Sequence, residues 1–214
     1  MNRMKSLVTA FAGAAAAAAL VVSATAPLAA QAVPSGDFAN AITALRAIST
    51  MRADFVQSGR GGQRIKGVLS LKRPGRIRFQ YEPGVPFLIV SNGSALTFVD
   101  YEVRQVQRWP IRNSPLGALL DPSRDMMKYG RLVPSDHGQV VSVEVRDTKH
   151  PEYGVITLVF IRKSSAPGGL ELSSWATLDS QNSRTAVSLS NQRYGVEISD
   201  NAFRFKDPRP VTRR

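Results

Sequence analysis

Hydrophobic positions in this chain recur mostly at every second residue. In Arg76–Tyr81 the apolar Ile77, Phe79 and Tyr81 alternate with Arg76, Arg78 and Gln80, which predicts a strand with one apolar face. The same period puts Met51, Ala53, Phe55 and Gln57 on one side of a strand, and Leu69 and Leu71 on one side of Ile65–Lys72. Val141, Val143 and Val145 likewise alternate with Ser142, Glu144 and Arg146. Further strands are expected over Phe87–Ser91, Ala95–Asp100, Val103–Trp109, Leu170–Leu178 and Arg184–Asn191, with Phe203–Phe205 closing the sheet. Gly154–Ile161 is apolar on both faces and so predicts deeper burial. Asn92-Gly93 marks a tight hairpin, because its central positions tolerate positive φ. Gly59–Gly62, Glu82–Pro86 and Pro167–Gly169 punctuate the other connections.

Two stretches depart from period two. Phe38, Ala41, Ile42, Leu45 and Ile48 follow helical spacing behind a cap at Ser35 or Asp37. Ser114 reads as an N-cap with Pro115 at the first helical position, so a short helix is expected within Asn113–Asp121, followed by another turn over Ser123–Tyr129. The prediction is a mainly β chain with short helices, in which ten or eleven strands form one strongly curved antiparallel sheet. A sheet with one apolar face must cover it. The helix bearing Leu116, Leu119 and Leu120 can serve as cover, and Pro110, Pro115 and Pro122 can hinge it. Leu69, Leu71, Ile77, Phe79, Phe87, Ile89, Phe98 and Trp109 then form either a closed core or the wall of a gated apolar pocket. Periodicity alone does not separate the two.

The first 32 residues stand outside this pattern. Arg3 and Lys5 precede an uncharged alanine-rich run from Leu7 to Val22, and Ala30-Gln31-Ala32 offers a cleavage site, as in a secretory signal peptide. Ala24-Thr25-Ala26 is a second site, disfavoured by Pro27, and a retained membrane anchor is the alternative to cleavage. Residues 33–214 then make a single exported domain with no dividing linker or internal repeat. The chain has no cysteine, which excludes disulfides, thiolate metal sites, a cysteine nucleophile and lipidation on cysteine. Its 28 Lys+Arg against 16 Asp+Glu give a net charge of +12, suited to solubility, to an anionic membrane or to acidic partners. Export and the scatter of the basic residues argue against nucleic acid.

Catalytic chemistry is hard to find. The two histidines, His137 and His150, sit in turn contexts and read as surface residues rather than metal ligands. No nucleophile elbow, phosphate loop or His-x-x-x-His helix occurs, and Asp54 with Glu82 is an unremarkable acid pair. The sequence therefore predicts a binding protein, with no catalytic residue, metal or cofactor.

Taken in order, Met51-x-Ala-x-Phe-x-Gln57, Gly67-x-Leu-x-Leu-Lys-Arg-Pro74 and Leu88-Ile-Val-Ser-Asn-Gly93 resemble the periplasmic outer-membrane lipoprotein carrier family, LolA. Leu96-Thr-Phe98, Asn113-Ser-Pro-Leu116 and Phe203-x-Phe-x-x-Pro208 extend the resemblance over most of Val33–Arg214. It implies an incomplete, half-open antiparallel β-barrel with a helical lid over an apolar concave face. It implies a monomeric periplasmic carrier that takes acylated lipoproteins from an ATP-driven inner-membrane release complex. Delivery is then to an outer-membrane acceptor or to the membrane itself. It further implies that Arg73 latches the lid through backbone carbonyls, with Ile77 the first inward residue of the next strand. This chain departs from the pattern in its few aromatics (7%) and its high basic charge. An envelope-stress sensor is the rival reading, although such proteins usually carry a further domain beyond a point such as Arg214. A carrier of another lipid is the third.

Overall fold

A computed structural model describes residues 35–59, 61–114, 116–122 and 125–210. The leader, both candidate cleavage sites and Pro115 lie outside the described residues. Helix α1 (Ser35–Ala47) precedes strands β1 (Thr50–Ser58), β2 (Arg64–Lys72), β3 (Arg76–Tyr81), β4 (Phe87–Asn92), β5 (Ala95–Asp100) and β6 (Gln105–Pro110). A 3-10 turn at Ile111–Asn113 leads to the short helices α2 (Gly117–Leu120) and α3 (Asp125–Tyr129). Strands β7 (Gly130–Val133), β8 (Val140–Arg146), β9 (Val155–Arg162), β10 (Leu170–Leu178) and β11 (Arg184–Tyr194) follow. No described helix is long and apolar enough to cross a membrane.

All eleven strands join one antiparallel sheet in the order β6-β5-β4-β3-β2-β1-β11-β10-β9-β8-β7. The seam where β1 pairs with β11 joins two arms, and the edge strands β6 and β7 do not pair, so the sheet is not closed. It is nevertheless rolled. Phe79 on β3 and Trp175 on β10 are four strand steps apart, roughly 19 Å in a flat sheet, yet their rings meet at 6.1 Å.

Register explains why the inside is apolar. Partners directly opposite in an antiparallel pair share a face. Met51 pairs with Leu71, Leu71 with Ile77, Leu69 with Phe79 and Phe79 with Ile89, so one apolar face crosses several strands. On the other arm Val143 pairs with Leu158 and Leu158 with Trp175. Helix α1 buries Ala41, Ile42, Ala44 and Leu45 in this interior. Its close approach to the Pro167–Gly169 turn depends on Gly168, where φ is +67° and a Cβ would lie 2.8 Å from the Ala44 Cα. Arg162 Nη2 donates to both carboxylate oxygens of Asp37, at 2.6 and 2.7 Å, fixing the start of α1.

Several expected boundaries are corrected. The β6 strand begins at Gln105, not Val103. Asp100 Oδ1 accepts from the amides of Glu102 and Val103, turning Tyr101–Arg104 into the hairpin loop. The Asn-Gly hairpin is shifted by one residue: Asn92 ends β4, Gly93-Ser94 form the turn, and Asn92 Oδ1 accepts from the Ser94 amide. Phe203–Phe205 does not close the sheet. Asp200–Phe203 is a 3-10 turn, and Ile198 and Phe203 cover Leu88, Val90 and Val99 on the outer face. Strand β9 alternates rather than being buried on both sides, with Ile156, Leu158 and Phe160 inside and Ile161 40% exposed. The short β7, unassigned from sequence, forms the edge.

Candidate binding site: an apolar face, its lid and Arg73

The eight wall residues singled out from sequence occupy one face of β2–β6, but in two different states. Leu69, Leu71, Ile77 and Phe79 are between 0 and 2% exposed. Phe55 packs edge-on against both Phe79 (5.4 Å, 77°) and Tyr81 (5.3 Å, 82°), which fills the space above β2 and β3. Phe87, Ile89, Phe98 and Trp109 share that face through the pairs Phe79–Ile89, Ile89–Phe98 and Leu96–Trp109, yet all four are only half-buried. Phe87 and Phe98 lie against one another at 5.6 Å.

The lid is shorter than expected. Helix α2 has one turn, Leu116 is its N-cap residue, and Ser114 Oγ accepts from the Leu116 amide at 3.2 Å. Ser114 therefore orders the turn before the helix instead of capping it. Leu119 and Leu120 are buried, while Leu116 is half-buried.

Arg73 follows β2, and its backbone amide donates to the Ser49 carbonyl at 2.8 Å. Its guanidinium donates from Nη1 to the Leu120 carbonyl at 2.6 Å and from Nη2 to the Leu45 carbonyl at 3.0 Å. One side chain thus joins the end of α2 to the last turn of α1, where the Leu45 carbonyl also accepts from the Ile48 amide at 3.3 Å. Burial pushes the guanidinium down to about 10, and Asp121 opposes that shift, so Arg73 remains cationic at neutral pH. Its Nε is buried without a partner among the described residues.

The adjoining turns are tied by Ser91, which is fully buried. Its Oγ donates to the Gly75 carbonyl at 2.7 Å and accepts from the Gly93 amide at 3.1 Å. Gly75 has φ +67°, and a Cβ there would lie 2.8 Å from the Gly93 oxygen. A cavity of about 660 Å³ opens beside these turns, lined by Arg46, Arg73, Arg112 and Asp121 among others. Another, of about 750 Å³, includes Asp54, Lys66, Tyr81 and Glu82. None of the eight wall residues lines either cavity. Arg73 holds the end of α2 through the Leu120 carbonyl, and the inner half of the face is packed.

The acid pair and the histidines are accounted for by local contacts. Asp54 accepts from the Asn191 side chain at 2.7 Å, Glu82 accepts from the Lys66 amide at 3.4 Å, and both histidines are exposed. No group of three His, Asp or Glu suited to a metal ion occurs among the described residues. Sequence reasoning expected Gly154–Ile161 to be deeply buried but gave Trp175, Leu158 and Phe160 no place beside the wall residues. Only the rolling of the sheet brings Trp175 against Phe79 of β3. It also missed Arg46, Arg112 and Asp121, for which no sequence signal exists.

The model of the family described as outer membrane lipoprotein carrier protein LolA matches residues 46–206. This chain belongs to the LolA family. The outer-membrane lipoprotein carrier protein of Methylococcus capsulatus is 27% identical over 176 residues, covering 76% of this chain and 79% of that protein. That of Chromohalobacter salexigens is 28% identical over 192 residues, covering 85% and 88%. A solved LolA superfamily structure from Nitrosomonas europaea aligns with a TM-score of 0.46 and 11% identity, over 78% of this chain and 97% of that one.

Proposed function

We propose that this LolA-family chain is a periplasmic carrier. It is exported with residues 1–32 removed, holds the acyl chains of lipoproteins released from the inner membrane, and delivers them to the outer membrane. The observation that carries this reading is one apolar face in two states: packed into one core with Leu119 and Leu120 at Leu69, Leu71, Ile77 and Phe79, and half-covered at Phe87, Ile89, Phe98 and Trp109. Acyl chains enter along the half-covered side and displace Leu119 and Leu120, which are themselves aliphatic. Burying each methylene is worth about 0.8 kcal/mol, so exchanging lid leucines for acyl chains keeps the net energy small and reversible. A hydrogen bond from a charged donor is worth about 1.5–3 kcal/mol net, so the Arg73–Leu120 bond closes the lid without locking it. Such a carrier can unload without a nucleotide.

The deciding experiment incubates the purified chain with inner-membrane vesicles holding labelled lipoprotein, a lipoprotein-release transporter and ATP. A soluble equimolar complex is expected, and its absence overturns the carrier reading. Free fatty acid bound in preference to lipoprotein would point to a carrier of a different lipid. Arg73→Leu is expected to take up lipoprotein but to hand it on poorly. Hand-over at the normal rate removes Arg73 from the mechanism.

A further inference from the structure

Three guanidiniums, those of Arg46, Arg73 and Arg112, line the 660 Å³ cavity beside the lid, with Asp121 as the carboxylate among its lining residues. Arg73 donates from Nη1 and Nη2 to neutral backbone carbonyls, and its Nε is buried without a partner among the described residues. A guanidinium carries five donors in a planar fork suited to oxyanions. Arg112 is exposed at the cavity and belongs to the 3-10 turn that leads into the lid. Gly75 and Gly93, which also line the cavity, leave backbone rather than side chain at its wall. The lining thus has an excess of positive charge, a cation short of acceptors, and room for a tetrahedral anion.

We propose that this cavity is a binding site for a phosphate ester oxyanion, held by Arg46, Arg73 and Arg112. The anion offers Arg73 a charged acceptor in place of the neutral Leu120 carbonyl, so a bond with one charged partner gives way to an ion pair with two. Occupancy of the cavity therefore weakens the hold of Arg73 on the end of α2. An anionic phospholipid headgroup and a soluble phosphate ester share this chemistry. If the headgroup is the source, the lid loosens where the chain meets an anionic membrane. The binding site stands on geometry alone, whereas the consequence for cargo rests on the carrier reading.

The purified chain is titrated with inorganic phosphate at constant ionic strength, followed by calorimetry and by NMR of nitrogen-labelled arginine side chains. Saturable binding is expected, with the Arg73 and Arg112 signals moving at one midpoint. Arg112→Gln should weaken binding by roughly tenfold, the equivalent of losing one charge-assisted hydrogen bond, and adding Arg46→Gln should weaken it further. Unchanged melting of the exposed-residue variant Arg112→Gln guards against misfolding as the cause. Flotation with phosphatidylcholine vesicles, with and without phosphatidylglycerol, separates the sources. Capture by the anionic vesicles that inorganic phosphate displaces assigns the headgroup, and phosphate binding without capture assigns a soluble ester. Non-saturable binding, or equal binding by the doubly substituted chain, overturns the site and leaves only general attraction to a +12 surface. No lipoprotein enters this test, so its failure and that of the carrier reading are distinguishable.

Discussion

The two halves of the apolar face begin from the same sequence pattern and end in different environments. Leu69, Leu71, Ile77 and Phe79 lie near the β1–β11 seam, where the sheet rolls until Phe79 touches Trp175. Phe87, Ile89, Phe98 and Trp109 lie on β4–β6, toward an unpaired edge. Helices α1 and α3 pack chiefly against strands of the opposite arm, β7, β8 and β10 among them. The inner half is therefore buried in one core with Trp175 of the far arm and with Leu119 and Leu120, whereas the outer half is only partly buried. Identical alternation thus serves stability near the seam and leaves apolar surface available toward the edge.

Substitutions on either side of this boundary should separate the roles. Phe79→Ala removes a fully buried ring packed against Phe55 and Trp175, and is expected to lower unfolding free energy by about 3–5 kcal/mol in chemical denaturation. A loss below that of an outer-wall substitution would show that the inner half is not packed as described. Ser91→Ala, at the polar point between the halves, strands the buried Gly75 carbonyl and should cost about 1–3 kcal/mol. Because that serine ties the two turns beside Arg73, amide exchange at Gly93 should also quicken.

Phe98→Ala should cost only about 1–2 kcal/mol, since the ring is half-buried. Its larger effect is expected on affinity for an acyl-bearing peptide measured by fluorescence titration. If binding survives intact, the outer half is not the entry side.

The smallest change at neutral pH is expected for Tyr81→Phe, within about 1 kcal/mol, through loss of the 2.8 Å bond to Gln57. Burial raises the Tyr81 phenol to about 12, with the bond to Gln57 pulling the other way. An unfolded tyrosine titrates near 10. The folded state thus holds its proton longer, so this contribution to stability is complete below about pH 10 and is lost as pH rises through about 12. Melting temperatures between those limits should fall less steeply for Tyr81→Phe than for the unsubstituted chain.

Much of the fold was legible because strand faces are set locally. Period two placed all eight wall residues on one side of β2–β6, and helical spacing located α1 with its buried Ala41, Ile42 and Leu45. Errors arose where a single side-chain hydrogen bond redirected the backbone. Asp100 delayed β6, and Ser114 ordered a turn where a cap was expected. The lysine-arginine-proline knuckle and the order of motifs, through family resemblance, directed attention to Arg73; its bonds to Leu120 and Leu45 link residues 47 and 28 positions away.

By itself the sequence determined which residues are apolar together, where most strands run, and that the chain has no cysteine to crosslink them. Hydrophobic alternation needs only nearest neighbours along the chain, and composition needs none. Only the tertiary structure decided which part of the apolar face is shut, that the carboxy-terminal turn covers the outer face, and that three arginines surround one cavity. Those outcomes depend on how far the sheet rolls and on contacts between residues distant in sequence, and no local pattern encodes either.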